Sequence, residues 1–135
     1  MPLTHTEAQT VIAGAHEHAA EQGLRVAVAV VDEGGFLLAL GRMDGAPPLS
    51  SQIAEAKAVG TAVWHRDGGS MAALQRDRSA FFAQVDRMVR TPLIPGPGSA
   101  LVRRGDAVLG AVGVSGAAPE QDLACAEAGL AALVS

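Results

Sequence analysis

The sequence predicts an α+β domain rather than a doubly wound parallel sheet. Two pairs of short apolar, β-forming segments, at residues 24–41 and 99–114, flank a helical middle section. One helical pattern opens the chain and another closes it. Parallel sheets alternate strand and helix, whereas two antiparallel hairpins split by helices leave those helices to cover one antiparallel sheet. A chain of 135 residues fits a single domain, 1–135.

Taken in order, Thr4 and Glu7 form a capping-box pattern at a helix start. Ala8, Val11, Ile12, Ala15 and Ala19 then share one face, and Gly23 ends the helix. His18 falls at the edge of that face, while His5 and His16 point toward solvent. Residues 24–31, L-R-V-A-V-A-V-V, read as a strand apolar on both faces and therefore central. Val26, Val28 and Val30 face one way, Ala27, Ala29 and Val31 the other. Asp32-Glu33-Gly34-Gly35 is a turn whose backbone Asp32 bonds, and residues 36–41 return as the second strand.

Residues 42–48 are a loop, after which Ser50 or Ser51 caps a helix running to about Trp64. Between Gln52 and Trp64 its only charges are Glu55 and Lys57, about 160° apart on the helical wheel and so unable to pair. A helix apolar nearly all round is buried. Asp67 starts a short helix, and Asp77 or Ser79 a further one carrying Phe81, Phe82, Val85 and Met88. Residues 91–98, T-P-L-I-P-G-P-G, form a stiff loop, since proline lacks an N–H and fixes φ. A second hairpin joins 99–103 to 107–114 around Gly105-Asp106. Gly110, Gly113 and Gly116 mark close backbone approach in and after the last strand. Pro119 opens the final helix, which reaches about Val134 with Leu123, Leu130 and Val134 inward.

Composition excludes several function classes. The net charge is −4, and one Trp, three Phe and no Tyr leave little to stack on bases, so no nucleic-acid partner is expected. The single cysteine, Cys125, excludes an intramolecular disulfide and a cysteine-based zinc site, and no metal is expected. No apolar run approaches the ~20 residues of a membrane span, and no signal-peptide pattern shows, so a cytoplasmic protein is expected.

Four stretches resemble one family: V-A-V-V-D-E-G-G-F-L-L-A-L-G-R-M-D-G-A at 28–46, the helix around Ala56-Lys57-Ala58, P-G-P-G at 95–98, and G-D-A-V-L-G-A-V-G-V-S-G-A-A-P-E-Q-D at 105–122. Together they are similar to the GlcG/HbpS family of haem-binding or "haem-degrading" proteins, which includes the C-terminal domain of PduO-type adenosyltransferases. The resemblance implies a profilin-like fold, with a five-stranded antiparallel sheet flanked by helices, and a homo-oligomer built from dimers. The chain departs from the family pattern at P-G-P-G-S-A, where P-G-G-I-P-I is expected.

Arg42, Asp44 and Lys57 are the leading polar candidates. A guanidinium grips a carboxylate in two bonds, and a lysine in an apolar wall can act as a base. A surface Arg42–Asp44 pair and a Lys57 that reaches to water are the plainer readings. Glu120 and Asp122 suit a helix start, and one of them, Glu120, is the candidate to face a pocket as a base. Backbone N–H groups of Gly96, Ser115 and Gly116 are candidates to hold a ligand oxygen. His18 and His65 are the candidate haem ligands. The expected function is small-molecule binding near the dimer contact, with cofactor-free proton transfer (isomerase, cyclase or lyase) as its catalytic form and haem binding as the alternative.

Overall fold

The capping box closes as the sequence predicts. In the computed structural model, which describes residues 1–134, Thr4 Oγ1 accepts the Glu7 N–H at 3.0 Å and Glu7 Oε1 accepts that of Thr4 at 3.0 Å. They open α1 (His5–Glu21), which is followed by β1 (Ala27–Asp32), β2 (Leu37–Arg42) and α2 (Ser50–Trp64). Then come α3 (Gly68–Asp77), α4 (Ser79–Met88), β3 (Ser99–Arg104), β4 (Ala107–Ser115) and α5 (Pro119–Val134).

The strands form one antiparallel sheet in the order β2-β1-β4-β3. Strand β1 is central and its two faces separate as the alternation predicts. Val26, Val28 and Val30 enter a core with Val11, Ala15, Cys125 and Ala126 of α1 and α5. Ala27, Ala29 and Val31 face α2, packing near Ala54, Ala58 and Ala62. The small side chains let α2 lie close to the sheet. A Cβ on Gly113 would stand 2.2 Å from the Ala54 carbonyl oxygen, so only glycine fits beneath the helix there.

Several expectations need correction. Among the described residues the sheet has four strands, not five. Between α4 and β3 the chain runs through three prolines and two glycines, which cannot supply a regular ladder. Neither Ser50 nor Ser51 caps α2: Leu49 holds the cap position, and Ser50 Oγ donates to the Pro47 carbonyl at 2.5 Å. Arg78, rather than Asp77 or Ser79, precedes α4. The buried stripe of α5 is Asp122, Cys125, Ala126 and Gly129; Leu130 packs against the core at its edge as expected, while Val134 is exposed. Close approach decides that rotation, because a Cβ on Gly129 would lie 2.6 Å from the Val11 carbonyl oxygen. Among the described residues no helix is long and apolar enough to cross a membrane.

Candidate functional site

Two sites emerge, and the sequence candidates divide between them. The first is a buried ion pair. Lys57 Nζ donates to Asp122 Oδ2 at 3.3 Å and to the Val114 carbonyl at 2.9 Å. The two side chains are 10% and 4% exposed, which makes this an interior pair rather than a surface one. Asp122 Oδ1 accepts the Ala117 N–H at 3.0 Å. Burial pushes the Asp122 carboxyl above its ordinary value, against the opposing pull of Lys57 and the Ala117 N–H. Gly98 covers the pair: its own Cβ, had it one, would lie 2.8 Å from Lys57 Nζ. No buried side-chain nitrogen or oxygen among the described residues lacks a partner.

The remaining candidates do not converge on Lys57. Of the two helix-start acids, Asp122 turns inward and Glu120 is exposed. Arg42 ends the edge strand β2, opposite Ala27, which in turn lies opposite Ser115. Arg42 is therefore about 10 Å across the sheet from Ser115. Arg42 and Asp44 are both exposed and no ion pair joins them. The Gly96 N–H is spent on the Gly68 carbonyl at 3.0 Å, so it is not free for a ligand oxygen. Gly116 is exposed at φ +135° and lies over the Arg25 carbonyl, while Ser115 is buried. His18 is half-buried beside Ala128 and Ala132 of α5. His65 is exposed and ends α2 in a left-handed conformation. His16 is not simply solvated: it packs over Gly41, its Nε2 3.0 Å from the Gly41 carbonyl oxygen. No cluster of three His, Cys, Asp or Glu among the described residues could hold a metal.

The second site was not legible in the sequence. A cavity of about 270 Å³ lies between the outer face of α2, the β1–β2 turn and the segment after α4. Gly35, Phe36, Val59, Val63, Trp64 and Leu93 form most of its apolar wall, with Asp86, Arg90 and Thr91 as polar members. A neighbouring cavity of about 560 Å³ follows α2 toward its N-terminus and shares Arg90 and Thr91. The proline-rich stretch 89–98 straps both. It is anchored where Asp86 Oδ1 accepts the Leu93 N–H at 3.0 Å, where Gly96 bonds Gly68, and where the Val114 N–H donates to the Gly98 carbonyl at 2.7 Å.

Two of the four aromatic side chains line this cavity, and the other two pack against one of them. Phe36 and Trp64 line the cavity. Trp64 meets Phe82 at 4.8 Å and Phe81 at 6.2 Å between ring centroids. The chain has only one Trp and three Phe. The fold concentrates all four, from three separate elements, at one end of α2.

By its fold this is an α+β domain in which one antiparallel sheet is covered by α1 and α5 on one face and by α2 on the other. It belongs to the HbpS-like family: the model of the family described as "Haem degrading protein HbpS-like" matches residues 3–131. Protein GlcG of Escherichia coli K12 is 35% identical over 115 residues, spanning 84% of this chain and 81% of that protein. A double mutant of HbpS from Streptomyces reticuli superposes with a TM-score of 0.86 at 29% identity, covering 97% of this chain and 86% of that one. A PduOC:heme complex superposes with a TM-score of 0.87 over 98% of this chain and 95% of that one; at 23% identity this likeness is one of fold alone.

Proposed function

We propose that this protein binds a small, largely apolar organic molecule in the cavity between α2 and the 89–98 strap. The observation that carries this reading is an apolar cavity lined by Phe36 and Trp64, with Phe81 and Phe82 packed against Trp64, in a chain whose core is otherwise mostly alanine and valine. Aromatic groups bury large areas, and ligand sites are apolar clefts with few, convergent polar groups. The outer face of α2 stays partly open, with Phe36, Leu49, Val63, Val89 and Ile94 exposed. A second copy of the chain covering this face would close the cavity, so a homo-oligomer with the ligand near the subunit contact belongs to the same reading.

Trp64 is the only tryptophan, so its emission reports on the cavity directly. Titration with cyclohexanecarboxamide, a neutral apolar ring transparent at the excitation wavelength, gives a saturable change in the wild type. Val59→Phe, which fills the cavity from α2, removes it. No saturable change at millimolar probe, or one untouched by Val59→Phe, rejects the reading.

Proton-transfer chemistry finds its support in the Lys57–Asp122 pair. Neither residue lines the cavity, however, and both are hydrogen-bonded within the protein. Binding, not turnover, is therefore the function put forward, with Lys57 and Asp122 holding the strap's far end. Haem is the second reading, favoured by the family's description. No histidine, cysteine or methionine lines either cavity over α2, so the residues there do not offer haem an axial ligand. His65, next to Trp64 in sequence, is the nearer histidine by chain position. A Soret shift on hemin titration that His65→Ala or His18→Ala abolishes would establish haem binding; its absence removes that reading.

A further inference from the structure

Arg90 stands where the two cavities over α2 meet, lining both. Its guanidinium carbon lies 5.3 Å from the centroid of the Phe36 ring, which orients the group across the cavity mouth. It makes no ion pair: the pairs within 4.0 Å among the described residues are Lys57–Asp122 and Arg104–Glu7. Asp86 also lines the first cavity, but its Oδ1 is taken by the Leu93 N–H. Arg90 thus offers a planar set of N–H donors at the edge of an aromatic wall, with no acceptor of its own. That geometry suits a carboxylate, which a guanidinium holds in two parallel bonds. Glu55 lines the second cavity and is half-buried. A second negative charge on the ligand, reaching along α2, would meet that carboxylate and be repelled.

Building on the cavity reading, we infer that the ligand is a monocarboxylate with an apolar body. The carboxylate pairs with Arg90, and the body rests against Val59, Trp64 and Leu93. Dicarboxylates are disfavoured by Glu55 and Asp86.

The test uses three matched rings: cyclohexanecarboxylate, cyclohexanecarboxamide and cyclohexane-1,4-dicarboxylate. Binding is followed by Trp64 emission and by calorimetry. The monocarboxylate is expected to bind about tenfold more tightly than the amide and more tightly than the dicarboxylate. Arg90→Gln is expected to erase the preference for acid over amide, weakening acid binding about tenfold more than amide binding. Arg90 is exposed, so the variant folds, and an unchanged circular dichroism spectrum verifies this. Equal binding of acid and amide to the wild type, or a preference that survives Arg90→Gln, overturns this inference while leaving the cavity reading intact. Failure of all three to bind overturns both.

Discussion

Lys57 of α2 and Asp122 of α5 lie 65 residues apart in the chain and meet at 3.3 Å beneath Gly98. The contact ties together the helix on one sheet face, the end of β4 and the first turn of the last helix. It also underlies the end of the strap that walls the cavity. A buried charge pair of this kind is weak evidence of net stabilisation, since desolvating both ions is costly. Breaking it is another matter, because the survivor is left charged and unpaired in the interior.

Lys57→Met and Asp122→Asn are each expected to lower the unfolding free energy by about 3 kcal/mol. The double replacement Lys57→Met with Asp122→Leu, which removes both charges, is expected to cost clearly less than the sum of the singles. Urea denaturation of the four proteins measures this. Singles within about 0.5 kcal/mol of wild type would mean that the pair is solvated and idle.

The pH dependence follows from the raised Asp122 carboxyl. Its ordinary value is 3.8, and burial lifts it in the folded state. The folded protein therefore holds this proton more tightly than the unfolded chain. The contribution favours folding most at low pH and is lost as pH rises from 3.8 through the raised value, so ionised Asp122 costs stability at neutral pH. In Lys57→Met the opposing cation is gone and the carboxyl rises further. The stability deficit of Lys57→Met should accordingly shrink as pH falls from neutral through the raised value. Adding Asp122→Asn to that variant should remove the trend. A deficit independent of pH would show that Asp122 does not titrate in this window.

Gly113 and Gly69 should respond oppositely to alanine. A Cβ at Gly113 would meet the Ala54 carbonyl oxygen at 2.2 Å and the Ala58 nitrogen at 2.8 Å, both backbone atoms that cannot swing aside. Gly113→Ala is expected to cost about 3 kcal/mol as α2 is pushed off the sheet. Gly69 sits in the first turn of α3 with nothing within 4 Å of its Cβ position. Gly69→Ala should stabilise by about 0.5 kcal/mol. Thermal melts of the two variants suffice, and similar melting temperatures would contradict this account of how α2 is seated.

The open face of α2 predicts self-association. Sedimentation velocity at micromolar concentration should show a dimer or larger assembly. Val63→Glu places a charge on an exposed apolar position of α2 and should shift the protein toward monomer without unfolding it. A monomeric wild type would leave the cavity open to solvent and remove the oligomeric half of the proposed function.

Local order was legible because it is set by neighbours in the chain. The Thr4–Glu7 capping box, the two-faced strand β1, the Gly105-Asp106 turn and the Pro119 start of α5 all depend on residues a few positions apart. Asp32 behaves likewise, its Oδ1 accepting the Gly34 and Phe36 N–H groups at 2.9 and 3.0 Å, as the turn sequence predicts. The candidate site was legible only in part. Lys57 stands out in the sequence as an unusual charge in an apolar helix, but its partner does not.

The choice between Glu120 and Asp122 turns on how far α5 is rotated about its axis. The large side chains Leu123, Leu130 and Val134 suggest one inward face. Leu130 packs against the core as expected, but the buried stripe is Asp122, Cys125, Ala126 and Gly129, which repeat at helical spacing and let α5 approach α1 until Gly129 rests on the Val11 carbonyl. That stripe of small residues was the available signal. Only the packed helices could show that closeness of approach outweighs side-chain size here, because that balance depends on what the opposite helix presents. The aromatic cavity has the same origin. Phe36, Trp64, Phe81 and Phe82 are scattered in a chain poor in such residues; only when the hairpin, α2 and α4 are brought together do Phe36 and Trp64 share a cavity wall and Phe81 and Phe82 back Trp64. The sequence by itself determined the elements and the family; tertiary packing determined which acid meets Lys57 and where a ligand can be held.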